Sequence, residues 1–159
     1  MIIIKGCPLI HLMLQCVIIF RMISISINRN RETSVVESTE FISIRKRLSK
    51  TQKELAELLG SSLKAVSSYE QGWRTIPGHV ERQLLFLFSK KVRLKDQNCW
   101  DIIKCPPEKK ENCPAWEFDS GNRCWFINGT ICGQQPQKNW QEKISICRRC
   151  RVLNRLLKS

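Results

Sequence analysis

Acidic residues, histidines and long apolar runs are all scarce in this chain. Its 14 acidic residues face 27 lysines and arginines, and the formal net charge of +13 favours a polyanion as partner. Both histidines, His11 and His79, lie outside the region that holds seven of the nine cysteines, so any metal site there is all-cysteine, with at most a carboxylate added. The sequence has no nucleophile–base pair and no phosphate-binding loop, so we do not expect an enzyme.

The apolar stretch at 7–20 is too short for a membrane span, which needs about 20 apolar residues. It also lacks a clear small-x-small cleavage site of a signal peptide. We expect a start codon assigned too early, with Met13 or Met22 as the native start; a membrane anchor and a poorly packed extension are the alternatives. Residues 28–40 are polar and predict a linker, and the protein is expected in the cytoplasm rather than at a membrane.

Charge and cysteine content divide the chain into 1–40, 41–92 and 93–159. Residues 29–95 carry 14 basic and 7 acidic groups, a net charge of +7, so the electrostatic footprint is centred on the middle. We predict a mainly α fold, in which a small helix-turn-helix bundle precedes a small, irregular cysteine-rich domain that binds a metal or cluster. The apolar extension and linker come before both.

Apolar residues at helical spacing predict four helices in the middle region. TQKE (51–54) is a capping box that begins the second helix, and Gly60 suits its end. The first helix is expected to end near Ser49. The predicted buried residues of the four helices are, in order, Phe41, Ile44 and Leu48; Leu55, Ala56, Leu58 and Leu59; Val66 and Tyr69; and Val80, Leu84, Leu87 and Phe88.

Two short helices joined by a tight glycine-containing turn are typical of a helix-turn-helix. Ser61 and Ser62 can cap the third helix, whose outer face carries Leu63, Lys64, Ser67 and Ser68. Small and polar side chains of this kind can enter the major groove and reach base edges. The middle region therefore predicts binding to double-stranded DNA.

The run IRKRLSKTQKELAELLGSSLKAVSSYEQG (44–72) resembles the Cro/cI-type (XRE-like) helix-turn-helix family. The resemblance implies that Gln52 contacts a phosphate and that Arg45 and Glu70 form a buried ion pair between the first and third helices. It also implies that Leu63, Lys64 and Ser68 face bases, with Ser62 nearby.

Two positions leave the DNA contacts open. Leu63 stands where the family often has a polar residue, so it contacts a thymine methyl or serves in packing. Arg74, after the third helix, is a phosphate contact or an exposed loop charge.

Regulators of this kind commonly bind paired half-sites as dimers, so a homodimer is also expected.

The last region holds Cys99, Cys105, Cys113, Cys124, Cys132, Cys147 and Cys150. CRRC (147–150) can direct two sulfurs at one ion, and its neighbouring arginines are expected to favour thiolate. Thiolate ligands suit zinc or an iron–sulfur cluster, whereas disulfides are disfavoured by a cytoplasmic location and an odd cysteine count. Unligated thiols are a further alternative. The core here is expected to be mainly aromatic, because four of the five tryptophans lie in this region.

The elements Cys99-Trp100 and Cys124-Trp125 are expected to form equivalent corners of one site, each tryptophan shielding its cysteine from water. Residues 99–152 resemble the two-CW cysteine-rich domain found at the ends of some bacterial regulatory proteins. The resemblance rests on CPAW (113–116), CW (124–125), the 129–132 element and CRRC. It implies a module rather than a particular chemistry.

The combined prediction is a sequence-specific transcriptional regulator with a redox- or metal-sensing domain. One alternative is a regulator in which zinc is purely structural. An alternative of another class is a redox adaptor whose helical part binds a protein.

Overall fold

The structure is a computed structural model that describes residues 36–92, 97–132 and 135–159. These residues belong to one compact unit. Within them the chain is helical and contains no β-strand, so the predicted mainly α fold class is confirmed. None of the helices in these ranges is long and apolar enough to cross a membrane. The predictions for residues 1–21, including a start at Met13 or Met22, lie outside the described residues.

The four predicted helices of the middle region form. They are α1 (Ser38–Arg47), α2 (Gln52–Leu58), α3 (Leu63–Glu70) and α4 (Gly78–Lys91). The first helix begins inside the segment predicted to be a linker, so that prediction is wrong for residues 36–40. The reason is burial: Val36 is fully buried in the core and so anchors the chain immediately before α1.

The residues predicted to begin and to end α2 do so in the structure. At its start, the Thr51 hydroxyl accepts a hydrogen bond from the Glu54 backbone N–H at 3.2 Å, and the Glu54 carboxylate accepts one from the Thr51 N–H at 2.8 Å. These bonds satisfy two backbone donors that have no partner within the helix. At its end, Gly60 has a φ of +58°, a conformation that side-chain-bearing residues rarely adopt.

The inner faces of α1–α4 enclose an apolar core. Most of the predicted residues are buried there: Phe41, Ile44, Leu48, Leu55, Ala56, Leu59, Val66, Tyr69, Val80, Leu84 and Phe88. The prediction that Leu58 is buried is wrong, since its side chain is 43% exposed. Leu87 is partly buried. Leu55 and Leu59 lie one turn apart and already occupy the inner face of this short helix, which leaves Leu58 at its edge.

The cysteine-rich region consists of short helices joined by irregular chain. They are α5 (Cys99–Ile103), α6 (Pro107–Glu111), α7 (Pro114–Glu117), a 3₁₀ helix (Gly121–Phe126), α8 (Trp140–Arg148) and α9 (Arg151–Lys158). A proline is the first residue of both α6 and α7, where its missing N–H leaves no bond unmade.

The core of this region is less aromatic than predicted. Trp125 and Trp140 are buried, but Trp116 is exposed. Aliphatic side chains supply much of the remainder, because α8 and α9 each bury apolar residues. The larger buried aliphatic residues are Ile144, Val152, Leu153 and Leu156.

The cysteine-rich region packs directly on α4. The indole N–H of Trp140 donates to the Glu81 carboxylate at 2.7 Å, and both groups are buried. A Cβ at Gly78 would lie 2.8 Å from the Trp140 ring, so only glycine allows this approach. Burial raises the pKa of Glu81, while the bond from Trp140 and the charge of Arg148 oppose the rise.

The Trp140–Glu81 bond predicts a stability effect. Replacing Trp140 with phenylalanine keeps an aromatic ring but removes the donor from a buried carboxylate. We expect the free energy of unfolding, measured by urea denaturation, to fall by about 1–3 kcal/mol. Trp73→Phe is the matched control, because Trp73 is 77% exposed and its replacement should change stability by less than about 0.5 kcal/mol. Equal losses of stability in the two variants would contradict a stabilising role for the Trp140–Glu81 hydrogen bond.

Candidate nucleic-acid interface and cysteine site

The turn between α2 and α3 sets the direction of α3. The Ser62 hydroxyl caps the helix by accepting a hydrogen bond from the Ala65 N–H at 3.1 Å. Val66 and Tyr69 are buried against the core of α1–α4. The opposite face of α3 is therefore left to solvent.

The outer face of α3 carries the four side chains that were predicted to lie on it. Leu63 is 49% exposed and Lys64 is also exposed, so neither is a core residue. The Ser68 hydroxyl donates to the Lys64 carbonyl at 2.8 Å, and the Ser67 hydroxyl accepts from the Gln71 side chain at 2.8 Å. Both serines are partly exposed, and their hydroxyls can exchange these local bonds for a ligand.

A side-chain network ties α3 to α1 and α2. The Arg45 guanidinium contacts both carboxylate oxygens of Glu70, at 2.5 and 3.1 Å. The Gln52 amide donates to the same carboxylate at 2.7 Å. Arg45 also donates to the Lys50 carbonyl at 2.8 Å, beside the turn that follows α1. The predicted partners Arg45 and Glu70 are thus in contact, and Gln52 is committed to Glu70.

The network keeps Glu70 charged although its side chain is only 7% exposed. Burial raises the pKa of Glu70, but the hydrogen bonds from Arg45 and Gln52 outweigh it, so the pKa lies below its ordinary value. A lowered folded-state pKa means that this pair stabilises the fold above the pKa of the unfolded chain.

The loop after α3 presents two residues beside its outer face. Arg74 is exposed, and its guanidinium carbon lies 5.9 Å from the centre of the Tyr69 ring. The N–H groups of Trp73 and Arg74 both donate to the Ser68 carbonyl, at 3.0 and 3.3 Å. Trp73 is the most exposed large apolar side chain in the described part, and the sequence pattern gave no reason to select it.

The seven cysteines from Cys99 to Cys150, here called the cysteine set, are all free thiols. They differ in burial: Cys99, Cys124 and Cys147 are buried, Cys105, Cys113 and Cys150 are partly buried, and Cys132 is exposed. In the described residues, no three cysteine, histidine or acidic side chains are grouped so that they could hold a metal ion. The thiol chemistry suits a soft metal, but the described cysteines do not form a ready coordination set.

The two Cys-Trp elements do come together. The thiols of Cys99 and Cys124 hydrogen-bond to each other, which lowers the pKa of Cys99 and raises that of Cys124. The tryptophans are not equivalent, however. Trp125 is fully buried, whereas Trp100 is partly exposed and packs edge-on against Trp116, with ring centres 4.9 Å apart.

The prediction that arginines make the CRRC cysteines thiolate is wrong for Cys147. Burial raises the pKa of Cys147 to about 11. The arginines have other partners: Arg148 binds the Glu40 carboxylate at 2.7 and 2.9 Å, and Arg151 donates to the Ile102 carbonyl at 2.7 Å. Their charges are therefore directed at oxygen atoms rather than at sulfur.

Lys143 lies next to the buried thiols. Its amine bonds to the Thr130 hydroxyl and to Cys147, one helical turn further along α8. The Cys132 thiol also contacts the Thr130 hydroxyl, at 3.7 Å. The helical spacing of the buried residues Trp140, Ile144 and Cys147 would have placed position 143 on the same face, so this lysine could have been found from the sequence.

The Arg45–Glu70 pair predicts a pH-dependent contribution to stability. Glu70→Gln should lower the free energy of unfolding by about 2 kcal/mol at neutral pH, a value between those of exposed and fully buried pairs. The difference should shrink as the pH falls from 4.5, the ordinary value for glutamate, through the lower pKa of folded Glu70, because the wild-type carboxylate then binds a proton and loses its charge. Urea denaturation of both proteins across this pH range measures it.

Glu57→Gln is the control for this experiment, because Glu57 is an exposed glutamate on α2. A loss for Glu70→Gln that equals the control, or that does not change with pH, would show that the pair does not contribute.

Comparison with known proteins agrees with the geometry of α1–α3. A family model described as helix-turn-helix matches residues 42–78. No curated protein and no solved structure matches the chain. The match ends before the cysteine-rich region. Residues 42–78 are thus similar to the helix-turn-helix family, which indicates a DNA-binding regulator.

Proposed function

We propose that this protein is a sequence-specific transcriptional regulator whose cysteine-rich region senses redox state or a thiophilic metal. The observation that supports DNA recognition is the exposed outer face of α3. The helix itself is fixed by the bonds from Arg45 and Gln52 to Glu70, which leave this face free. A recognition helix must be rigidly placed and free on one face, and α3 meets both conditions.

In this proposal Lys64 and Ser68 read base edges, with Ser62 and Ser67 at the margins. Leu63 offers an apolar contact for a thymine methyl. Arg74 and Trp73 contact the sugar–phosphate backbone beside the recognition helix. Gln52 acts on DNA through Glu70 and the position of α3, since its amide is already engaged. A homodimer on paired half-sites is the proposed assembly.

A chain of contacts supports coupling between the cysteine set and α3. Cys147 precedes Arg148 on α8, and the Arg148 guanidinium donates two hydrogen bonds to the Glu40 carboxylate on α1. The same helix carries Arg45, which holds Glu70 on α3. A change at the buried thiols that shifted the end of α8 would therefore reach the recognition helix through two ion pairs. Allosteric coupling of this kind is typically worth about 1–3 kcal/mol.

The sensing role requires that the cysteine set bind its ligand through its own thiols. Zinc or an iron–sulfur cluster would be held by cysteines among the seven, and when bound it would supply a redox- or metal-dependent constraint on the short helices around it. Cys99, Cys124 and Cys147 are the buried candidates; Cys105, Cys113, Cys132 and Cys150 complete the set. A purely structural zinc is the alternative, favoured by the burial of three of the thiols.

The first test is DNA recognition by the full chain. A duplex selected from a randomised library should bind with an affinity that falls steeply with salt. Lys64→Ala and Ser68→Ala should each reduce the preference for that duplex over a scrambled one, by about 1–3 kcal/mol for a good base contact. Gln52→Ala should weaken binding to all sequences alike and also lower the melting temperature.

Lys109→Ala is the matched control, because Lys109 is an exposed lysine on α6, in the cysteine-rich region. Fluorescence anisotropy at several salt concentrations gives both affinity and salt slope. If the wild type bound no duplex in a salt-dependent way, or if Lys109→Ala matched Lys64→Ala, the DNA-binding proposal would fail.

The second test is coupling to the cysteine set. DNA affinity is measured for one anaerobic preparation before and after brief exposure to oxygen, while metal content is followed in parallel. The sensor proposal predicts a change of about 5- to 150-fold. Arg148→Gln should abolish that change, whereas Arg149→Gln, at an exposed neighbouring position, should retain it. Constant affinity despite loss of metal would favour the structural-zinc alternative.

A further inference from the structure

A groove of about 630 Å³ is bordered by α5 and α9. None of the described residues that line it belongs to α3 or to the loop after α3, so the proposed DNA contacts do not use it. The lining residues are Gln97, Ile102, Arg151, Asn154, Arg155, Lys158 and Ser159. A cavity of this size lies in the range that holds small-molecule ligands.

The lining of the groove is cationic. Arg151, Arg155 and Lys158 are four and three positions apart, so they share one face of α9. The buried apolar residues of α9 pack on another side of the helix, and this packing turns the cationic face toward the groove. The described lining residues include no aspartate or glutamate. The groove therefore carries three positive charges without a local negative charge.

The two arginines are positioned by bonds to uncharged acceptors. Arg151 donates to the Ile102 backbone carbonyl at 2.7 Å, and Arg155 donates to the side-chain oxygen of Gln97. Within the described ranges, no carboxylate lies at ion-pair distance from either arginine or from Lys158. A guanidinium has five N–H donors, so most of them remain available to a ligand after these bonds are made.

The dipole of α9 accounts for only part of this arrangement. Cations are stabilised near the C-terminal end of a helix, which suits Arg155 and Lys158 in the last turn. Arg151 is the first residue of α9, where a positive charge is unfavourable. Repulsion between like charges on one helix face adds to that cost. A bound anion would offset both effects.

We propose that this groove binds a small phosphorylated molecule, whose phosphate group is held by Arg151, Arg155 and Lys158. A phosphate group carries about 1.5 to 2 negative charges and three acceptor oxygens, so it matches three cations better than a carboxylate does. Arginine also pairs with phosphate oxygens through two parallel N–H groups. The half-buried Ile102 side chain supplies apolar surface for the organic part of the ligand.

The test measures the binding of two probes, inorganic pyrophosphate and adenosine monophosphate, to the reduced full chain. Isothermal titration calorimetry at constant ionic strength should show saturable binding of each probe at one site per chain. Arg151→Gln and Arg155→Gln should each weaken binding about tenfold or more, because a charge-assisted hydrogen bond to phosphate is lost. Arg151→Lys keeps the charge but loses the fork of donors, so its affinity should lie between those of Arg151→Gln and wild type.

Arg149→Gln is the matched control, because it removes the same charge from an exposed position outside the groove. Its affinity for both probes should stay within about twofold of wild type. Melting temperatures without probe show whether each variant is folded. Arg151 is exposed, so its replacement should leave the melting temperature nearly unchanged even if the half-buried Arg155 contributes to stability.

Competition experiments identify the source of the phosphate. Citrate, a carboxylate anion, should displace adenosine monophosphate only weakly, and a nonspecific DNA duplex should not displace it. The proposal is overturned if the wild type shows no saturable binding, if Arg149→Gln loses as much affinity as Arg151→Gln, or if citrate competes as well as pyrophosphate. Displacement of the probe by the duplex, together with weaker duplex binding by Arg151→Gln, would also overturn it, because the groove would then belong to a DNA-binding surface.

Discussion

The contact between the Arg45 guanidinium and the Glu70 carboxylate fixes the position of α3, on which the direction of its exposed face depends. Glu70 is the last residue of α3, so a partner on α1 holds this helix at one end, while the Ser62 cap and the Gly60 turn set the other. Gln52 occupies the second carboxylate oxygen and brings α2 into the same network. Because the network lies behind α3, it consumes none of the outer face. The network therefore fixes α3 in position and leaves its outer face exposed.

The cysteine-rich region extends this network rather than forming a separate body. Segments of its size bury too little surface to be stable without a metal, a disulfide or a neighbour. Here the neighbour is α4, where Gly78 admits the Trp140 ring and Glu81 accepts its N–H. Arg148 then reaches α1 through Glu40. The packing that stabilises the small helices is therefore the same packing that connects them to α1 and α4.

The chemistry of the cysteine set follows from burial more than from sequence neighbours. Arg148 is adjacent to Cys147 in the chain and Arg151 to Cys150, but their side chains bond to Glu40 and to a backbone carbonyl. The buried Lys143 amine, four residues before Cys147, is the cation that contacts its thiol. Distance along the chain was a poor guide to which charge meets the sulfur, because helical geometry places residues i and i+4, not i and i+1, on one face.

Helices α1–α4 could be predicted from the sequence, because helix caps, glycine turns and apolar stripes depend on residues only a few positions apart. The sequence also predicted the exposed face of α3 and the Arg45–Glu70 partnership, the latter through family resemblance. The start of α1, the exposure of Leu58 and the raised pKa of Cys147 were decided by the tertiary structure. So were the Trp140–Glu81 bond, the Arg148–Glu40 pair and the burial of Lys143. Each of these depends on which surfaces meet between distant segments, and that is settled by competition for burial across the whole unit rather than by any local pattern.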